Sequence, residues 1–140
     1  MKPIIELKGV NKKFSKFQAL SDVTFSVQRG EVIGFIGPNG AGKSTTIRTL
    51  LGIIKRDAGK AEIFGKDVWH DSVEIHKRIS YVPGDVALWG NLTGGEIIDL
   101  FMKLHGGGDQ TKRDALINRF ELDPKKKAKS YSKGNRQKVY

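Results

Sequence analysis

The sequence contains no cysteine, and its 15 acidic residues are outnumbered by 25 lysines and arginines. The lack of cysteine excludes disulfide bonds, thiolate metal sites and cysteine nucleophiles. No apolar run approaches the roughly 18 residues that a membrane-spanning helix needs, and residues 32–37 form one of the longest. The first residues, Met-Lys-Pro before a strand-like segment, do not resemble a signal peptide. We therefore expect a cytoplasmic protein.

The shortage of acidic residues leaves a net charge of +10. An excess of this size favours a phosphate-rich partner, which can be a nucleotide, a nucleic acid or an anionic membrane surface. Residues 125–138 carry seven basic residues and no acidic one. This segment is either a solvated basic loop or a contact for such a partner. A third interpretation is that the chain is a piece of a longer protein whose acidic part is absent.

Apolar periodicity predicts an α/β protein. Short strands are predicted at residues 4–7, 23–27, 61–64 and 79–82. The continuous apolar run at residues 32–36 predicts a strand buried on both faces of a parallel sheet, and a helix is predicted from Lys43 onward. Helical patterns dominate after residue 83. Thr93 and Glu96 have the spacing of a capping box, and Thr111 is the predicted cap of the next helix.

Residues 37–44 read G-P-N-G-A-G-K-S and match the phosphate-loop pattern G-x-x-x-x-G-K-[ST] without a mismatch. A predicted strand precedes the loop and a predicted helix follows it, which is the context that the motif requires. Glycines let the backbone approach phosphates, and successive N–H groups form an anion-binding nest. Lys43 is predicted to reach the β and γ phosphates, and the Ser44 hydroxyl to bind Mg²⁺. The predicted nucleotide-binding residues of the loop are Gly37, Pro38, Asn39, Gly40, Ala41, Gly42, Lys43, Ser44 and Thr45.

Two flanking stretches carry a specific resemblance. Residues 37–45 read GPNGAGKST and residues 20–34 read LSDVTFSVQRGEVIG, and together they closely resemble the ATP-binding subunits of ABC transporters. The resemblance runs from about residue 4 to the last residue. It implies an α/β P-loop NTPase core of the ABC ATPase type, with a small β subdomain at the N-terminus, a helical subdomain and an incomplete central sheet. The implied division is a core at residues 1–83, a helical subdomain at residues 84–130 and a signature segment at residues 131–140.

In the family that this chain resembles, an aromatic residue upstream of the phosphate loop stacks on adenine. Phe14 occupies that position, so the resemblance implies that Phe14 binds the base. Stacking of one base on an aromatic ring is worth roughly 1–3 kcal/mol. Phe17 is the nearby alternative, and we expect it to be a packing residue.

The segment at residues 131–135 reads Y-S-K-G-N and resembles the family's L-S-G-G-Q signature. Ser132 and Gly134 match the signature, whereas Lys133 and Asn135 depart from it. The resemblance implies that this segment contacts the γ phosphate of ATP bound by a second protomer.

Gly84 stands where the family places a glutamine that helps to hold Mg²⁺ and senses the membrane partner. A glycine has no side chain that can ligate a metal. The neighbouring Asp85 is a candidate substitute, although adjacent side chains of an extended segment point in different directions. This variant resembles a subgroup of exporter-type ATPases.

The family's hydrolysis residues lie after its signature: an Asp that binds Mg²⁺, a Glu that polarises water and a later His. No apolar run followed by acidic residues occurs between Ser132 and Tyr140, so we assign no catalytic residue. We expect the chain to be the N-terminal portion of a longer protein that binds ATP but hydrolyses it slowly. The resemblance implies ATP and Mg²⁺ as cofactors, a second ATP-binding protomer and a membrane permease as partners, and a position at the inner face of the cell membrane.

Other functions remain open at this point. A GTPase or a small-molecule kinase also uses a phosphate loop, but the N-K-x-D guanine signature is absent and residues 132–138 stay unexplained. A basic nucleic-acid-binding protein is a weaker alternative, because residues 125–138 contain only one aromatic residue, Tyr131, on which a base could stack. We therefore expect no nucleic-acid partner. A non-catalytic fragment that pairs with full-length protomers is compatible with the main prediction. The three histidines, His70, His76 and His105, have no metal-binding spacing.

Overall fold

The computed structural model describes residues 2–140, which form two compact units divided between Ser80 and Tyr81. The strands are β1 (Ile5–Phe14), β2 (Phe17–Val27), β3 (Ala58–Ile63) and β4 (Lys66–Asp67), and the helices are α1 (Lys43–Leu50), α2 (Ser72–His76), α3 (Gly94–Leu104), α4 (Gln110–Arg119) and α5 (Lys133–Gln137), with a 3-10 turn at Ala128–Ser130. Among residues 2–140, no helix combines the length and apolarity that a membrane span requires. The predicted boundaries at residues 83/84 and 130/131 stay a prediction.

The first unit is built on a four-stranded antiparallel sheet in the order β2-β1-β3-β4. Strict alternation along β1 would place Leu7 and Val10 on opposite faces, yet both are buried. A register irregularity between them adds the residue that returns Val10 to the core side. The core consists of Leu7, Val10, Leu20, Ala61, Ile63, Val68 and Ile75. This sheet is the small N-terminal β subdomain that the resemblance implies.

The strand predicted at residues 32–36 is not formed, which corrects the sequence-based expectation. Val32 and Ile36 are each 96% exposed. A buried parallel strand requires a hydrogen-bonded neighbour, and no strand of the described residues pairs with this segment. Residues 79–82 form no strand for the same reason. The central sheet is therefore incomplete, as the predicted fold class states.

The helical unit after Ser80 confirms the predicted change of pattern. Thr93 and Glu96 form the predicted capping box: the Thr93 hydroxyl accepts from the Glu96 N–H at 3.2 Å, and the Glu96 carboxylate accepts from the Thr93 N–H at 2.6 Å. The predicted cap at Thr111 is wrong, because the Asp109 carboxylate caps α4 by accepting from the Thr111 N–H at 2.8 Å. The core of this unit consists of Ile97, Ile117, Leu122, Ala128, Tyr131 and Val139.

Candidate nucleotide-binding site

The phosphate loop meets α1 at Gly42, the residue that precedes the helix. Gly42 has φ of 86°, in the left-handed region, where a side chain is unfavourable. A Cβ there would lie 2.7 Å from the Ala19 carbonyl oxygen and 2.9 Å from a methyl group of Leu20. The second glycine of the motif is therefore needed for two reasons, its backbone conformation and its close approach to β2.

The first residue of α1 is Lys43, and its ammonium group is held by the loop itself. Lys43 Nζ donates to the carbonyl oxygens of Gly37 at 2.6 Å and Pro38 at 2.7 Å. The side chain thus folds back so that its charge lies against the first two residues of the loop. The first residues of the motif, Gly37 and Pro38, are thus in contact with Lys43 near its end.

Helix α1 is anchored by two threonines on its buried side. Thr46 and Thr49 are 2% and 0% exposed. Their hydroxyl groups donate to the carbonyls of Gly42 at 3.0 Å and Thr45 at 2.8 Å, so each buried polar group has a partner. The neighbouring Ser44 side chain is exposed on the loop side of the helix. Burial of one face of α1 thus leaves the Ser44 hydroxyl available to a ligand.

A cleft of about 220 Å³ opens over the loop. Its lining residues come from the hairpin, the loop and α1: Phe17, Ala19, Asn39, Gly40, Gly42, Lys43, Ser44 and Thr45. Lys43 is the one charged residue of this lining. A concave site with a single cation, loop amides and an aromatic wall has the composition that binds a nucleotide.

The aromatic wall differs from the sequence-based expectation. Phe17 is 61% exposed and lines the cleft, which contradicts the packing role expected for it. Phe14 lies opposite Phe17 across a two-residue turn and is 44% exposed, with the Lys12 ammonium 5.3 Å from its ring centre. Directly paired strand residues point to the same face. The two-residue spacing between Phe14 and Phe17 was the signal in the sequence that could have identified Phe17. Ala19 follows Phe17 on the same strand and also lines the cleft.

The donors present fit a magnesium ion that is bound together with phosphates. Mg²⁺ takes oxygen ligands and usually retains several waters beside one or two protein groups and substrate phosphates. The cleft lining offers the Ser44 hydroxyl and contains no carboxylate. Within residues 2–140 no cluster of His, Cys, Asp or Glu side chains can hold a metal by itself. Ser44 would therefore hold the ion jointly with nucleotide oxygens.

The segment at residues 131–135 lies in the second unit. Tyr131 is 3% exposed, and its phenol donates to the Asp123 carbonyl. Burial raises the pKa of this phenol. Ser132 is the N-cap of α5 and accepts from the Asn135 N–H at 3.3 Å. Exposed Lys133 forms an ion pair with Asp85 at 3.0 Å.

Comparisons with known proteins agree with the motif. The family model described as ABC transporter matches residues 20–140. The ABC transporter ATP-binding protein YhcH of Bacillus subtilis is 33% identical over 99% of this chain and 46% of its own length. The daunorubicin resistance ATP-binding protein DrrA3 of Streptomyces coeruleorubidus is 35% identical over 96% of this chain and 44% of its own. The chain thus spans less than half the length of these relatives.

A solved structure confirms the predicted fold class. The ATP-binding subunit of an ABC transporter has a TM-score of 0.83 and 30% identity, covering 97% of this chain and 59% of that one. CbiO1 from Clostridium perfringens, part of the transporter complex cbiONQ, has a TM-score of 0.74 and 22% identity, covering 99% of this chain and 59% of that one. This second likeness concerns the fold alone. Both structures support an ABC-type P-loop fold for this chain.

Proposed function

Because the chain belongs to the family of ABC transporter ATP-binding proteins, we propose that it binds ATP with Mg²⁺ in the cleft of its first unit. The cleft over the phosphate loop carries the proposal, since it joins Lys43, Ser44 and the loop amides with an aromatic wall. In the bound state, Lys43 donates to the β and γ phosphates in place of the carbonyls of Gly37 and Pro38. The Ser44 hydroxyl would hold Mg²⁺ together with the phosphates, and the ion would offset part of their negative charge.

We propose that the adenine ring packs at the tip of the β1–β2 hairpin. The family resemblance assigns Phe14 to the base, and the cleft brings in Phe17 as well. The two rings are paired residues on neighbouring strands and share one face. A base held there has its phosphates directed toward the loop, because Phe17 and Lys43 line the same cleft.

For the whole protein, we propose ATP hydrolysis that drives export through a membrane permease, at the inner face of the cell membrane. Two relatives support the proposal: one is named for daunorubicin resistance, DrrA3, and the other for bacitracin transport, BcrA of Bacillus licheniformis. In the proposed dimer, residues Ser132, Lys133, Gly134 and Asn135 act on the ATP of the second protomer. The 140 residues contain no candidate for the water-polarising Glu after the signature. We therefore expect nucleotide binding by this chain with negligible turnover.

Calorimetric titration of the chain with ATP and Mg²⁺ tests the binding site. Lys43→Ala removes one charge-assisted contact worth about 1.5–3 kcal/mol, so the affinity should fall about 10- to 150-fold. Lys66→Ala is the matched control, because Lys66 is an exposed lysine of β4 outside the cleft lining. Equal ATP affinity of the wild type and Lys43→Ala would refute the proposed site.

A further inference from the structure

The distal part of the β1–β2 hairpin is held by a carboxylate from outside the hairpin. The pairing of β1 with β3 ends at Asn11 and Ala58, so residues 12–14 of β1 extend beyond β3. Asp57 immediately precedes β3, and its N–H donates to the Asn11 carbonyl oxygen at 2.9 Å. The Asp57 carboxylate then accepts from the Lys13 N–H at 2.7 Å. The Asp57 side chain therefore continues the hydrogen bonding of β1 past the point where β3 ends.

The other oxygen of the same carboxylate holds a lysine side chain. Lys12 Nζ donates to Asp57 Oδ1 at 2.9 Å, and the Lys12 side chain is only 15% exposed. The hydrogen bonds from Lys12 and from the Lys13 N–H lower the pKa of Asp57, so this carboxylate is charged at neutral pH. Asp57 thus fixes both the backbone and a side chain of the segment just before the hairpin tip.

The lysine held by Asp57 lies over the ring of Phe14. Lys12 Nζ is 5.3 Å from the ring centre, within the range of a cation–π contact. Lys12 and Phe14 are two residues apart on β1, so strand alternation places their side chains on the same face. The ammonium group occupies one face of the ring, and the opposite face is the one that can receive a base. One series of contacts therefore runs from Asp57 through Lys12 to Phe14.

We propose that Asp57 and Lys12 are positioning residues for base binding that act through Phe14. This inference rests on the proposed function, in which the adenine ring packs at the hairpin tip. Asp57 holds the strand segment that carries Phe14, and Lys12 fixes the ring from the face that the base does not use. Neither residue belongs to the lining of the cleft over the phosphate loop. Their contribution therefore concerns nucleotides, which carry an aromatic base, and not inorganic polyphosphates.

Calorimetric titration of the full chain with ATP and with inorganic triphosphate, both with Mg²⁺, tests this inference. Asp57→Ala and Lys12→Gln should each weaken ATP binding about two- to fivefold and leave triphosphate affinity unchanged. Asp57→Asn should lose less than Asp57→Ala, because its amide oxygen can still accept from the Lys13 N–H. Electrostatics alone predicts the opposite sign for Asp57→Ala, since loss of a carboxylate makes the protein more attractive to a polyanion. A thermal melt checks that each variant is folded.

Coupling to Phe14 is the readout that a merely structural role would not move. In a Phe14→Ala background, Asp57→Ala should weaken ATP binding no further, because its effect passes through that ring. The matched control is Glu62→Ala, which removes a carboxylate that pairs with Lys60 at 3.0 Å. Glu62 lies opposite Glu6, toward the end of β1 that is remote from the hairpin tip, so neither affinity should change.

Three results would each overturn the proposal: unchanged or tighter ATP binding by Asp57→Ala, equal weakening of ATP and triphosphate binding, and the same loss with and without Phe14. The ATP titration of Lys43→Ala decides the cleft separately. If Lys43→Ala weakens ATP binding and Asp57→Ala does not, this inference fails and the proposed function stands. If the wild type and Lys43→Ala bind ATP equally, the proposed function fails and this inference fails with it.

Discussion

Removal of the two hairpin phenylalanines distinguishes base binding from loop packing. The two single variants are Phe14→Ala and Phe17→Ala, and the ligands are ATP and inorganic triphosphate. Loss of stacking on one base costs about 1–3 kcal/mol, so ATP affinity should fall about 5- to 150-fold while triphosphate affinity stays unchanged. We expect Phe17→Ala to have at least as large an effect, because Phe17 lines the cleft and Phe14 does not.

Calorimetry with both ligands is the assay, and a thermal melt checks folding. Both rings are substantially exposed, so their removal should change stability little. Phe120→Ala is the matched control, as Phe120 is a 50% exposed phenylalanine of the other unit. If the two rings hold the same base, the double variant should lose less than the sum of the single losses. Equal weakening of ATP and triphosphate binding would show that the rings shape the loop. Unchanged ATP binding in both variants would show that the base does not bind at the hairpin.

Three further predictions concern stability and association. Partial burial opposes ionisation of Asp67, but hydrogen bonds from Arg56 and from backbone N–H groups outweigh it and lower the pKa of Asp67 to about 2. About 2 kcal/mol of stability should therefore be present above pH 4 and be lost as the pH falls toward 2. The unfolding free energy measured across this pH range checks the prediction, which is wrong if Asp67→Asn keeps the full wild-type pH dependence. Thr93→Ala should destabilise the helical unit by about 1 kcal/mol, whereas Thr111→Ala, which alters no cap side chain, should be nearly neutral in denaturant melts. Because exposed apolar residues 32–36 favour association and the +10 charge opposes it, light scattering should rise as salt shortens the reach of the charge, and a monodisperse chain at every salt concentration would refute that expectation.

Features that depend on neighbours along the chain could be predicted from the sequence alone. The phosphate loop was recognisable because its glycines, Lys43 and Ser44 must follow one another at fixed spacing to surround phosphates. The capping box at Thr93 and Glu96 was predictable for the same reason, since both of its bonds join residues three apart. For the start of α4 the same local reasoning selected Thr111 instead of Asp109, because both polar side chains stand near the first turn.

Features that depend on residues distant in sequence became visible only in the folded chain. Apolarity at residues 32–36 predicts burial, but a strand forms only beside a hydrogen-bonded neighbour, and none of the described strands is placed there. The place of Phe17 in the cleft follows from the pairing of β1 with β2 and from the approach of Gly42 to Ala19. The pair of Lys133 and Asp85 joins positions 48 residues apart, which no periodicity connects. Local spacing determines which groups can do the chemistry, and packing determines which of them meet, because close contact between distant residues arises only when the chain folds.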